Sequence, residues 1–162
     1  MTKQKPPTPP PTVMRKSDVP VEENSCIFCD YKEEDILMPE LTFGINLISE
    51  IAYCILDKYP VTKGHTLIIP KRHVEFISEL SFIEMQYIFL LAKHRIPEAE
   101  KEFEDITGWN FGVNQGESAG QTISHLHFHL IPRRKNDVIN PIGGIRNVIP
   151  NKGDYTTLDN TF

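Results

Sequence analysis

Cysteine is scarce in this chain of 162 residues, with Cys26, Cys29 and Cys54 as its only three. An odd count with one close pair does not make a disulfide framework. No apolar run is long enough to cross a bilayer, so a membrane partner is not expected. The opening "MTKQKPPTPPPTVMRK" carries charge but no apolar core, unlike a secretory signal. The expected location is the cytoplasm, where thiols stay reduced. Excess basic charge is also missing, because 17 Lys and Arg face 22 Asp and Glu, a formal net charge of −5. A nucleic-acid binder usually carries a basic surface, so a nucleic-acid partner is not expected. One local basic stretch, Arg133-Arg134-Lys135 with Arg146 beyond it, suits a small anionic ligand better. No internal repeat is visible.

The length and the 40% hydrophobic content suit one domain with a real core. Residues 1–24 combine proline with Thr, Lys and Glu and read as a disordered tail of polyproline II character. Its "PPTPPP" has the composition of an SH3 ligand and equally of a solubilising extension. The folded domain is expected over 25–150, followed by an irregular tail over 151–162. Strands are expected over 41–48, 51–57 and 65–69, the last stopped by Pro70. Ser81 with Glu84 makes a capping box. Behind it Phe82, Met85, Ile88, Phe89, Ala92 and Ile96 recur at helical spacing, which predicts a helix over 81–104 with a bend near 94–97 at Pro97. "GWNFGVN" and "TISHLHFHLIP" read as two further strands, joined by the hairpin-length loop "QGESAGQ". Strands, a long helix, then strands imply an α+β fold with an antiparallel sheet.

"SHLHFHLIPRR" holds three of the six histidines. On a strand, alternate side chains share a face. Leu126, Phe128 and Leu130 would then enter the core, while His125, His127 and His129 project from the opposite side. On a helix the same spacing would scatter them. A shared imidazole surface can act as nucleophile, acid, base or metal ligand near neutral pH. It can also be a solvent-facing strand side with no chemistry. Cys26-Ile27-Phe28-Cys29 has the spacing of half a tetrahedral zinc site and needs two histidines to complete it. A redox pair or plain apolar packing are the alternatives. Cys54, in an apolar strand, reads as a small buried hydrophobe.

The run "HLHFHLI" resembles the motif of the histidine triad (HIT) superfamily of nucleotidyl hydrolases and transferases. "CIFC", "VTKGHTLIIPKRHV" and "NQGESAGQT" resemble family segments in the same order, and "DVINPIGGIRNVIP" resembles the tail of bacterial diadenosine-polyphosphate hydrolase-like members. The resemblance covers residues 26–150. It implies a HIT-like sheet of about five strands with one long and one short helix. It also implies a covalent nucleotidyl intermediate on His127, with the carbonyl of His125 accepting the proton of its second ring nitrogen. His129 and Thr122 would meet the phosphate or the leaving group, with Asn114 and Gln121 beside them. Asp57, eight residues before His65, matches a residue that holds the ribose hydroxyls, although a strand-ending turn residue is an equal reading. His65 matches a histidine behind the triad; alone, it would read as a satisfied core residue. His73 and His125 match the partners of Cys26 and Cys29 in a structural zinc site, with no cofactor needed for the chemistry. Arg146 would reach distal phosphates, although Ile142 stands where similar tails carry a second arginine. A homodimer built on the long helices and strand edges is the expected assembly. The leading expectation is a dinucleoside polyphosphate hydrolase, possible also as a transferase or phosphorylase. A nucleoside phosphoramidate hydrolase and a non-catalytic, zinc-stabilised nucleotide-binding adaptor are the alternatives.

Overall fold

The computed structural model describes residues 26–32, 34, 36–37 and 48–156. The proline-rich tail and most of the expected 41–48 strand lie outside these residues. Ile48, the last of that expected strand, instead opens a single helical turn, α1 (Ile48–Ile51), which leads into β1 (Ala52–Leu56). β2 (Thr66–Pro70) follows, then α2 (Phe82–Glu102), β3 (Ile106–Val113) and β4 (Phe128–Arg134). Among the described residues these four strands form one antiparallel sheet in the order β1-β2-β4-β3. The α+β class therefore holds, with four described strands where about five were expected. Pro70 closes β2 from within the ladder, rather than stopping it a residue earlier as expected.

Strand alternation sends the two faces of the sheet to different partners. Ala52, Cys54, Ile68, Leu126, Phe128 and Leu130 pack with Ile88, Leu91 and Ala92 of α2. Tyr53, Ile55, Leu67 and Ile69 pack on the other face with Phe28 of the N-terminal segment. β1 and β2 are thus covered on both sides, while β4 is covered on the α2 side. Cys54 is fully buried, and burial pushes its thiol up to about 12, which fits the inert reading.

α2 starts where the capping box requires. Ser81 Oγ accepts the Glu84 N–H at 3.2 Å, and Glu84 Oε2 accepts the Ser81 N–H at 2.7 Å. Arg72 adds a two-pronged contact to the same carboxylate at 2.9 and 2.8 Å, and its guanidinium is the main cause that takes Glu84 down from 4.5 to about 2. A carboxylate lowered by folding contributes stability that is complete above its ordinary pKa and is lost as pH falls through the folded value. Ser81→Ala is expected to cost about 1 kcal/mol in urea titration at pH 7. Glu84→Gln is expected to weaken the fold at pH 7 and to narrow its gap from the parent as the pH drops from 4.5 towards 2.

α2 is one continuous helix. It runs unbroken through Pro97, because Pro97 and Lys93, whose carbonyl loses its partner, both lie on the exposed side. The apolar stripe is also two stripes. Ile88, Ala92 and Ala99 face the sheet, whereas Phe82 and Phe89 are 71% and 62% exposed.

Candidate active site and metal centre

The side chains of the histidine run alternate, but His125 lies in a bend and only the last member, His129, is in a strand. β4 begins at Phe128, and residues 114–127 form the connection from β3, including a short turn over Glu117–Ala119. The expected strand from Thr122 and the tight hairpin are therefore corrected. The alternation survives without the ladder. Leu126, Phe128 and Leu130 enter the α2-side core, and the three imidazoles turn to the other side.

Each ring then meets a different neighbour. His125 is fully buried and its Nε2–H donates to the Pro70 carbonyl at 2.9 Å, which leaves a lone pair on Nδ1. That Nδ1 lies 3.2 Å from Cys26 Sγ and 3.5 Å from Cys29 Sγ, and His73 Nδ1 lies 3.3 Å from Cys29 Sγ. All four ligand atoms fall within 4.8 Å of one another. Zinc bonds of about 2.3 Å to sulfur and 2.05 Å to nitrogen give tetrahedral edges of about 3.5 Å, so two thiolates and two imidazoles here fit zinc. The carbonyl that fixes the His125 tautomer is the kind of outer partner that metal-bound histidines use. Without a cation, burial and then the adjacent Cys26 push the Cys29 thiol up to about 11. A divalent ion removes that penalty.

His127 Nδ1–H donates to the His125 carbonyl at 2.8 Å, so Nε2 carries the lone pair and has no hydrogen-bond partner among the described residues. Its ring is 5.1 Å from both Phe28 and His129. His129 Nδ1 in turn lies 3.0 Å from His65 Nε2, and His65 Nδ1 lies 3.3 Å from Asp57 Oδ2. Burial, reinforced by the flanking His127 and His65, takes His129 down to about 4, and burial also lowers His65. Both rings are therefore neutral at pH 7. His129 Nε2 is buried with no partner among the described residues.

A cavity of about 540 Å³ lies on this face. Asp57, His65, Asn114 and His129 line it. His127 is not in its wall; it stands one ring behind His129 and is 6% exposed. Three expected substrate residues stay away from the cavity. Gln121 braces its own loop, accepting the Gly116 N–H at 2.6 Å and donating to the carbonyls of Ile123 and Glu75. Thr122 is exposed outside the wall. Arg146 sits over the Tyr155 ring, 5.7 Å from its centre. The basic stretch is also committed elsewhere. Arg133 forks onto Asp137 at 2.7 and 2.8 Å, and Arg134 binds Thr62 and the Lys63 carbonyl.

The wall contains residues that the sequence reading missed. Asn110 on β3 shares the sheet face of Gly112 and Asn114, a period-two signal that was legible in "NFGVN". Tyr59 and Val61 come from the β1–β2 turn, and Ile145, Asn147 and Val148 from the C-terminal loop. Contact of that loop with β3 has no local sequence signature. Gly143, at φ +88°, lets the loop close by leaving no Cβ against the Gly153 carbonyl. Gly64, at φ +92°, plays the same part before His65, where a Cβ would lie 2.8 Å from the Phe103 ring.

A profile of the HIT domain matches residues 47–136. The chain belongs to the HIT family. It is 39% identical over 114 residues to Protein hit of Bacillus subtilis, covering 67% of this chain and 71% of that protein. It is 36% identical over 96 residues to a bis(5'-adenosyl)-triphosphatase of Dictyostelium discoideum, covering 59% of this chain and 64% of that one. Among solved structures, a Zn-bound histidine triad family protein from Mycobacterium smegmatis superposes with a TM-score of 0.56 at 30% identity, covering 72% of this chain and 80% of that one. No helix among the described residues of this HIT protein is long and apolar enough to cross a membrane.

Proposed function

We propose that this HIT protein is a cytoplasmic nucleotidyl hydrolase that cleaves dinucleoside polyphosphates at the α-phosphate through a covalent intermediate on His127. One observation carries the reading: His127 Nδ1–H is held by the His125 carbonyl, leaving Nε2 without a partner among the described residues, beside a ring that lines the cavity. A neutral imidazole with a fixed tautomer is a nucleophile at pH 7 and needs no strong base. Nε2 attacks phosphorus, the bond to the leaving phosphate breaks, and water later releases the nucleotide from the same nitrogen. Asn114 and His129 lie where they can bind phosphoryl oxygens, and Asp57 where it can accept from ribose hydroxyls. Similarity to the Dictyostelium triphosphatase supports the substrate class. Intact-mass analysis of His129→Ala mixed with diadenosine tetraphosphate tests this. One adenylyl group on His127 is expected; an unmodified protein that still hydrolyses the substrate excludes the covalent route.

A specific observation favours a second substrate class. Arg146 turns onto Tyr155, while Ile145, Val148, Tyr59 and Val61 give the cavity an apolar side. That wall suits an organic leaving group better than a long phosphate chain, as in a nucleoside phosphoramidate. Parallel turnover of diadenosine tetraphosphate and adenosine phosphoramidates ranks the two.

Zinc is assigned to Cys26, Cys29, His73 and His125 as a structural ion, since four protein ligands close its coordination shell. A homodimer completes the proposal. Among the described residues β3 is an edge of the sheet, and the exposed Phe89 ring of α2 stacks edge-on against Phe111 of β3, 5.6 Å between centres. Phe89→Glu would place a charge in that apolar patch, and light scattering at micromolar concentration is expected to show a monomer against a dimeric parent.

A further inference from the structure

Two groups of opposite character reach for one nitrogen. His65 Nδ1 lies 3.3 Å from Asp57 Oδ2 and 3.4 Å from the backbone nitrogen of Val61. A carboxylate accepts, so it favours a proton on Nδ1. A backbone N–H donates, so it needs the lone pair there. A neutral imidazole carries one N–H and can serve only one of them at a time.

The choice is passed on through the 3.0 Å contact between His65 Nε2 and His129 Nδ1. With Asp57 served, His65 Nε2 accepts, His129 is protonated on Nδ1, and His129 Nε2 shows a lone pair. With Val61 served, His65 Nε2–H donates, His129 Nδ1 accepts, and His129 Nε2 bears the hydrogen. That last atom is the buried one with no partner among the described residues, on a residue that lines the cavity.

We propose that Asp57 and the Val61 amide form a tautomer switch by which a bound nucleotide converts His129 Nε2 from hydrogen-bond acceptor to donor. This rests on the nucleotide reading above and adds a positioning role for Asp57. In the free protein the charged carboxylate is the stronger partner and holds His65 Nδ1–H. Ribose hydroxyls seated on Asp57 give it other donors and release Nδ1 to the Val61 N–H. One proton then crosses from His129 Nδ1 to His65 Nε2, one leaves His65 Nδ1 for solvent past Asp57, and one enters His129 Nε2 from solvent. Each ring keeps one proton, and no charge is buried. The donor that phosphoryl oxygens need is present only when a ribose is in place. Bare polyphosphate, lacking hydroxyls, meets a lone pair and is disfavoured.

Long-range proton–nitrogen NMR of the full chain, with 15N-labelled histidine and backbone, separates the tautomers. His65 and His129 are expected to be Nδ1–H in the free protein and Nε2–H when saturated with AMP. Asp57→Ala, lacking the acceptor, is expected to show the Nε2–H pattern before AMP is added. Backbone shifts that report AMP binding while both rings keep one tautomer overturn the switch and leave the nucleotide reading standing. Retention of Nδ1–H in free Asp57→Ala overturns it too. An absence of any shift with AMP at millimolar concentration removes the nucleotide reading itself.

Discussion

His127→Ala is expected to lower kcat on diadenosine tetraphosphate by about 10⁴-fold or more, with little change in thermal midpoint. The two halves of this result come from different features. In the proposed reaction the ring supplies the nucleophile, while the other cavity nitrogen without a partner among the described residues, His129 Nε2, takes up a hydrogen when a nucleotide is seated on Asp57 in the switch proposed above. His129 Nδ1 is engaged with His65, and His65 is engaged at both nitrogens. The fold, however, takes its anchoring at this point from Leu126 and Phe128, which enter the core on either side of His127. Removing the ring also opens space beside Phe28, 5.1 Å away, so a modest loss of stability is tolerable. Residual activity within tenfold of the parent in steady-state assays would exclude His127 as the attacking group. Binding of AMP by the variant, followed by calorimetry, separates a lost nucleophile from a collapsed site.

The second large effect concerns stability. Removal of zinc by a strong chelator is expected to lower the thermal midpoint by about 10 °C or more, the scale of a loss of several kcal/mol for a domain of this size. The metal would tie the N-terminal segment, through Cys26 and Cys29, to His73 beyond β2 and to His125 before β4. Those segments are far apart in sequence, and Cys26 and His125 are 99 positions apart. Losing the ion frees a long loop and leaves two thiols adjacent. Cys29→Ser is expected to start near the lowered midpoint and to be indifferent to chelator. Metal analysis of the parent should find about one zinc per chain. A parent whose midpoint ignores the chelator would leave the four residues as ordinary packing.

The two effects are linked through one strand entry. His125 offers Nδ1 to the metal cluster and its carbonyl to His127. Chelation is therefore expected to reduce turnover as well as stability, because the carbonyl that sets the His127 tautomer is carried by a residue no longer held.

Legibility varied with how local each cause was. The capping box of α2 was readable because its three-residue spacing is itself the structure. The alternation in "HLHFHLI" was readable because extended chain has period two whether or not a partner strand is present. That same fact hid the true start of β4, since sequence reports the extension and not the ladder. Which apolar residues of α2 face outward was not legible, because Phe82 and Phe89 are as apolar as Ile88, and only the sheet's position tells them apart. Arg146 and Gln121 were placed by likeness to a motif, while in the fold each is held by an immediate neighbour, Tyr155 and Gly116.

The sequence by itself determined the class of the fold, the main helix with its start, and the family, because these follow from periodicity, capping and short motifs within one segment. The tertiary structure alone decided which side chains meet. It brought Asp57, His65 and His129 into one line of contacts, gave His125 and His127 different neighbours, and brought the C-terminal loop to the cavity. Those pairings depend on the register between strands and on turns that only glycine permits, and neither is encoded by any single stretch of residues.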